Sequence, residues 1–185
     1  MDLTRSVVER ESNEYESAQP LYAVEQEHVD LLPGTFRSGQ YGWRDAEWVV
    51  QWYFRRLLGA YPDPERRATE SAYGDNDYEA VRDALAAAVD ADDTAARLAA
   101  LTELEGVDVP VASAFCFFLY PDRYVVVGER EWRVLRAAGE LDEPYPDTVD
   151  VDDYLTFDAV CRELCDRLGV DAWTLYRALW NLGAD

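Results

Sequence analysis

One glycine between two apolar segments constrains this chain more than any other feature. Asp93 begins a segment with Leu98, Leu101 and Leu104 at helical spacing; Gly106 follows, and Val109-Pro-Val-Ala-Ser-Ala-Phe-Cys-Phe-Phe-Leu119 runs on without a charge. The pattern predicts a helix to Leu104, a tight turn on Gly106 and a second helix opening near Val109, a helix-hairpin-helix over about 94–119. Such a turn aims backbone N–H groups outward, and those of Gly106 and Val107 are placed to take a phosphate oxygen.

Beyond the hairpin, Pro121 leads into the extended Val125-Val-Val127, then Gly128 and a helix carrying Trp132, Leu135 and Ala138. The whole run resembles the helix-hairpin-helix (HhH-GPD) DNA glycosylases. Their signature is roughly Leu-Pro-Gly-Val-Gly-x-Lys-Thr-Ala, then an apolar helix, an extended stretch and a catalytic Asp that opens a further helix. Leu104, Gly106, Val107 and Ala112 fall on that pattern, and Arg133 falls on the Arg often found just after the Asp. The resemblance implies an all-α fold of about eight to ten helices in two closely packed lobes, with DNA as partner.

On this alignment the family's Lys position holds Pro110 and its Asp position holds Gly128, 18 residues later as in the family. Neither residue can do the chemistry. Asp108 also replaces the second hairpin glycine. A bifunctional glycosylase attacks the sugar with a Lys amine, yet all 17 cationic side chains here are Arg. A monofunctional DNA N-glycosylase needs a carboxylate to stabilise positive charge on the sugar and help activate water. Glu129 is one residue further on, and one helical step turns a side chain by about 100°. The resulting expectation is a scaffold without catalytic residues and with weak, ion-dependent DNA binding. The alternatives are an active base-excision enzyme with a relocated carboxylate, Glu129 or Glu131, and a protein-interaction module using Trp-rich surfaces.

Composition limits the partner. Thirty-eight acidic side chains against 17 Arg give a net charge of −21 over 185 residues, and the acids are spread along the chain. Spread acid without Lys fits the surface of a salt-adapted protein better than a nucleic-acid mimic, which would gather its acids on one face. The carboxylates oppose an approaching phosphate, so divalent cations are expected to relieve binding. No stretch is apolar enough to span a bilayer, the acidic N-terminus lacks signal-peptide character, and three Cys suit a reducing compartment; the expected location is cytoplasmic, with no membrane partner.

Residues 1–19 are polar and weakly patterned, which predicts a frayed helix or an N-terminal arm, with a single domain over 20–185. Leu21 to Leu32 reads as a helix ended by Pro33-Gly34. Asp45 is expected to cap a helix with Ala46, Val49, Val50, Tyr53, Phe54 and Leu57 on one face. Helices around Val81 to Val89, Phe157 to Leu168 and after an Asp171 cap complete the set, and Asp142 to Asp150 reads as a linker.

Arg123, Arg130, Arg133 and Arg136 form a local enrichment. They read equally as phosphate contacts or as partners of Glu129, Glu131 and Glu140. Trp48 and Trp52, beside Arg55 and Arg56, read as a base-stacking surface or, with more weight, as core. Cys161 and Cys165 sit on an apolar stripe, which favours packing over metal binding; Cys116 is also core, and three Cys so spaced cannot build a four-Cys cluster. His28 is the only histidine, so it can complete neither a zinc site nor a catalytic triad with another. No metal and no cofactor are expected.

Overall fold

The computed structural model describes residues 1–184, and all regular structure among them is helical. The ten helices are α1 (Arg5–Ala18), α2 (Tyr22–Arg37), α3 (Trp43–Arg55), α4 (Asp63–Gly74), α5 (Tyr78–Asp90), α6 (Thr94–Leu101), α7 (Val109–Leu119), α8 (Glu129–Ala137), α9 (Val151–Leu168) and α10 (Ala172–Leu182). The chain is therefore all-α. It divides into two compact units: residues 28–119 form one, and residues 1–27 with 120–185 form the other. Asp185, the last residue of the expected domain, lies outside the described residues.

The unit of residues 28–119 is built around α7, whose eleven residues are all buried. A helix without a charged position has no face that prefers water, so its neighbours must cover every side. α3 and α6 pack against it. Trp52 of α3 stacks on Phe117 with ring centroids 6.0 Å apart and meets Phe118 edge-on at 4.8 Å.

At α2 and at the start of α3 the helix boundaries depart from the sequence reading. α2 runs through Pro33 to Arg37. Proline removes one backbone donor, but Leu32, Pro33 and Phe36 are buried, and their packing holds the extra turn in helical form. α3 starts at Trp43, before Asp45, because Asp45 reaches back: its Oδ2 accepts the Gly42 N–H at 2.8 Å. It thus serves from inside the first turn, in the manner of a capping box, while Gly42 is the cap.

In the other unit α10 packs against α1, α8 and α9. The Asp171 carboxylate accepts the Thr174 N–H at 2.7 Å and caps α10 as expected. Val125, Val126 and Val127 are buried, lie outside any helix and pair with no strand among the described residues; the Tyr154 hydroxyl donates to the Val125 carbonyl at 3.2 Å.

The polar arm expected over residues 1–19 is instead a packed helix. Val8, Glu11, Ser12 and Tyr15 of α1 are buried, at the spacing of one helical face. That face hid in the sequence because half of it is polar. Its groups find distant partners: Asn181 Nδ2 donates to Glu11 Oε2 at 2.7 Å, and the Tyr15 hydroxyl donates to Glu25 Oε2 at 2.6 Å.

Candidate nucleic-acid interface

The hairpin forms as two helices joined by a turn on Gly106, with the first helix ending at Leu101 rather than at the expected Leu104. α6 ends at Leu101, a short turn carries the chain to Gly106 at φ +75°, and α7 opens at Val109. Leu104 and Val107 are buried beneath the turn. What the sequence does not show is how tightly the turn is held. A Cβ on Gly106 would lie 2.6 Å from the Thr69 carbonyl oxygen and 2.7 Å from the Tyr73 nitrogen, both backbone atoms of α4. Glycine is needed here for its conformation and for this close approach. The tie is extended by Asn76, which donates to the Glu105 carbonyl and accepts the Glu105 N–H, each at 3.0 Å.

The donors expected to face a phosphate are partly spent. Val107 N–H is bonded to the Leu104 carbonyl at 3.1 Å. At α7, Asp108 Oδ1 accepts the Val111 N–H at 3.0 Å and its carbonyl accepts the Ala112 N–H at 2.8 Å. Asp108 is thus the cap of α7, and it places a carboxylate at the hairpin turn. Its side chain is exposed, yet atoms crowded around the carboxylate remove enough water to push its pKa upward, against the lowering effect of its backbone hydrogen bonds. Thr69, Gly106, Val107 and Asp108 line an open depression of about 280 Å³.

Pro110 is buried in the first turn of α7, where a missing N–H costs nothing, and its carbonyl accepts the Ser113 hydroxyl at 2.6 Å. Gly128 caps α8 in an extended conformation (φ −163°, ψ 166°) and brings no side chain. Of the two alternative carboxylates on the first turn of α8, Glu129 is exposed and Glu131 is fully buried.

The four arginines of the predicted patch are all engaged within the protein. Arg123 makes a two-pronged pair with Asp158, at 2.6 and 2.8 Å, and Asp158 is almost wholly buried. This bidentate contact, with the attraction of the carboxylate, raises the Arg123 pKa further. The guanidinium fork of Arg123 is thus occupied by a carboxylate in fixed geometry, which is the internal-pairing reading of this residue with Asp158 as the partner. Arg130 lies 4.0 Å from the Trp180 ring centroid, and Arg133 Nη2 donates to the Gly183 carbonyl at 3.0 Å. Both bind α8 to the end of α10. Arg136 Nε donates to the Asp142 carbonyl at 3.2 Å. Arg133 and Arg136 are exposed.

The stacking surface proposed for Trp48 and Trp52 is not formed as such. Trp52 is buried in the core, and Arg56 is buried with its guanidinium 4.7 Å from the Tyr53 ring centroid. Trp48 is half-buried and stacked face to face on His28, with centroids 3.6 Å apart. Cys116 and Cys161 are buried; burial pushes the Cys161 thiol up, and that of Cys165 up to about 12. Both thiols thus stay protonated, the state suited to packing. Among the described residues, no group of His, Cys, Asp and Glu is placed to hold a metal ion. No described helix is long and apolar enough to cross a membrane.

No protein-family model matches the chain, and neither does any curated protein. Among solved structures it is similar to the Methanocaldococcus jannaschii 8-oxoguanine glycosylase/lyase, crystallised with a 15mer DNA containing 8-oxoguanine. The two share 16% identity with a TM-score of 0.49, over 94% of this chain and 95% of the other.

Proposed function

We propose that this protein is a DNA glycosylase-like scaffold that has lost base-excision chemistry and keeps a weak, ion-dependent affinity for nucleic acid. The observation that carries this reading is the start of α8: the helix that in the resembled family opens on the catalytic carboxylate opens here on Gly128. The absence of Lys from the sequence and the burial of Pro110 support it, since no side-chain amine exists to attack a sugar. The hairpin supports the binding part, with a shallow depression at Gly106 and Val107 beside the repelling carboxylate of Asp108. The spread acids and exclusive use of Arg support a cytoplasm of high salt as its setting.

The test is base release from a panel of duplexes carrying damaged or mismatched bases, at high salt and with divalent cations. The wild type releases none, and Gly128→Asp gains trace activity if its carboxylate reaches an extruded nucleotide. A second reading is favoured by the exposure of Glu129 on the first turn of α8. If the wild type excises a base and Glu129→Gln abolishes this without unfolding the chain, Glu129 is a catalytic carboxylate and the proposal is wrong.

A further inference from the structure

A polar cavity of the unit formed by residues 1–27 and 120–185 lies far along the chain from the hairpin. About 450 Å³ in volume, it opens between α1 and the corner joining α9 to α10. Arg5, Ser12 and Asn13 line it from α1, and Thr174 and Arg177 from α10. α10 points its N-terminus here, so its partial positive charge adds to that of the two guanidinium groups. Two carboxylates of the lining, and Glu16 beside Arg177, oppose them, and all three are engaged. Glu9 is paired with Arg5 at 2.8 Å, and Asp171 caps α10 through Thr174.

Two buried atoms of this wall decide what the cavity suits. Ser12 is 1% exposed, and neither its Oγ nor the Nε of Arg177 has a hydrogen-bond partner among the described residues. The remainder of the Arg177 guanidinium is well used: Nη1 meets Glu16 at 2.7 Å, and the group lies 5.0 Å from the Trp173 ring centroid. A buried polar atom left without a partner is costly. Arg177 Nε–H is a donor only, so a metal ion or an ammonium group cannot complete it; an oxygen acceptor can, and the Ser12 hydroxyl can donate to such an oxygen as well.

We propose that this cavity binds a small oxyanion, the phosphate or carboxylate head of a polar molecule, through Arg177 Nε and Ser12 Oγ, with Arg5 and the start of α10 adding positive charge. Both atoms are buried, so binding of this kind requires the Ser12 and Arg177 side chains to turn toward the cavity. The cavity is larger than a bare phosphate, which leaves room for a polar remainder beside Asn13 and Thr174. This site is independent of the nucleic-acid reading.

Inorganic phosphate and acetate serve as probes, titrated into the full chain at constant ionic strength in concentrated KCl and followed by calorimetry and thermal melting. One phosphate binds per chain, and at a hundred times Kd the midpoint rises by about 5–10 °C. Ser12→Ala weakens binding severalfold, and Arg177→Lys, which keeps the charge but loses the Nε–H, weakens it about tenfold or more. Ser12→Ala removes one hydroxyl from a packed helix and keeps the test valid should Arg177→Lys not fold. A stronger response to phosphate than to acetate assigns the site to phosphoryl ligands, and the reverse to carboxylates. Binding of neither probe overturns the proposal, as does binding that both variants leave unchanged.

Discussion

Asp108 shows how one side chain can serve the fold and oppose the ligand. Its carboxylate caps α7 and adds negative charge at the depression beside Gly106. Asparagine caps helices about as well as aspartate, whereas alanine costs about 1 kcal/mol. Asp108→Asn is therefore expected to unfold at nearly the wild-type urea concentration and to bind duplex DNA more tightly, while Asp108→Ala loses stability. Equilibrium unfolding with fluorescence anisotropy of a labelled duplex checks both. The Asp108 pKa is raised, so its neutral form is reached at higher pH than for an ordinary Asp. As pH falls the wild type should approach the affinity of Asp108→Asn, and the variant itself should change less over the same range. Equal pH dependence in both proteins would show that another group is responsible.

Among the elements, α1 contrasts most sharply with the hairpin. The hairpin was legible because Gly106 and the uncharged α7 write their roles locally, and the Asp171 cap was legible for the same reason. α1 was not, since Glu11 and Ser12 occupy its buried face and the partner of Glu11, Asn181, is 170 residues away. The Arg cluster was only partly legible for the same reason: spacing gathered the arginines, but the partner of Arg123, Asp158, lies 35 residues away. Nothing local announced that Thr69 and Tyr73 would close on Gly106. Because the Tyr15 hydroxyl is a donor to buried Glu25, Tyr15→Phe is expected to cost about 1–3 kcal/mol. Urea unfolding should show a lower midpoint with unchanged slope; an unaltered midpoint would mean that α1 is not anchored through this bond.

For the molecule as a whole, a charge of −21 makes salt a structural variable. Repulsion among exposed carboxylates extends about 10 Å at 0.1 M salt and about 3 Å at 1 M. The thermal midpoint is expected to rise steadily from 0.1 to 2 M KCl, by calorimetry, and a flat or falling midpoint would remove the salt-adaptation reading. The same salt weakens phosphate contacts, so fold and nucleic-acid affinity respond to it in opposite directions. The chain's path adds a matter of timing. α1 packs on α10, and Arg177 reaches Glu16 across 161 residues of sequence. At a ribosome moving 5–20 residues per second, that separation is on the order of 10–30 s. Through that interval all of residues 28–119 emerges while the inner face of α1 waits, with Val8 and Tyr15 uncovered, for the helix that will close over it.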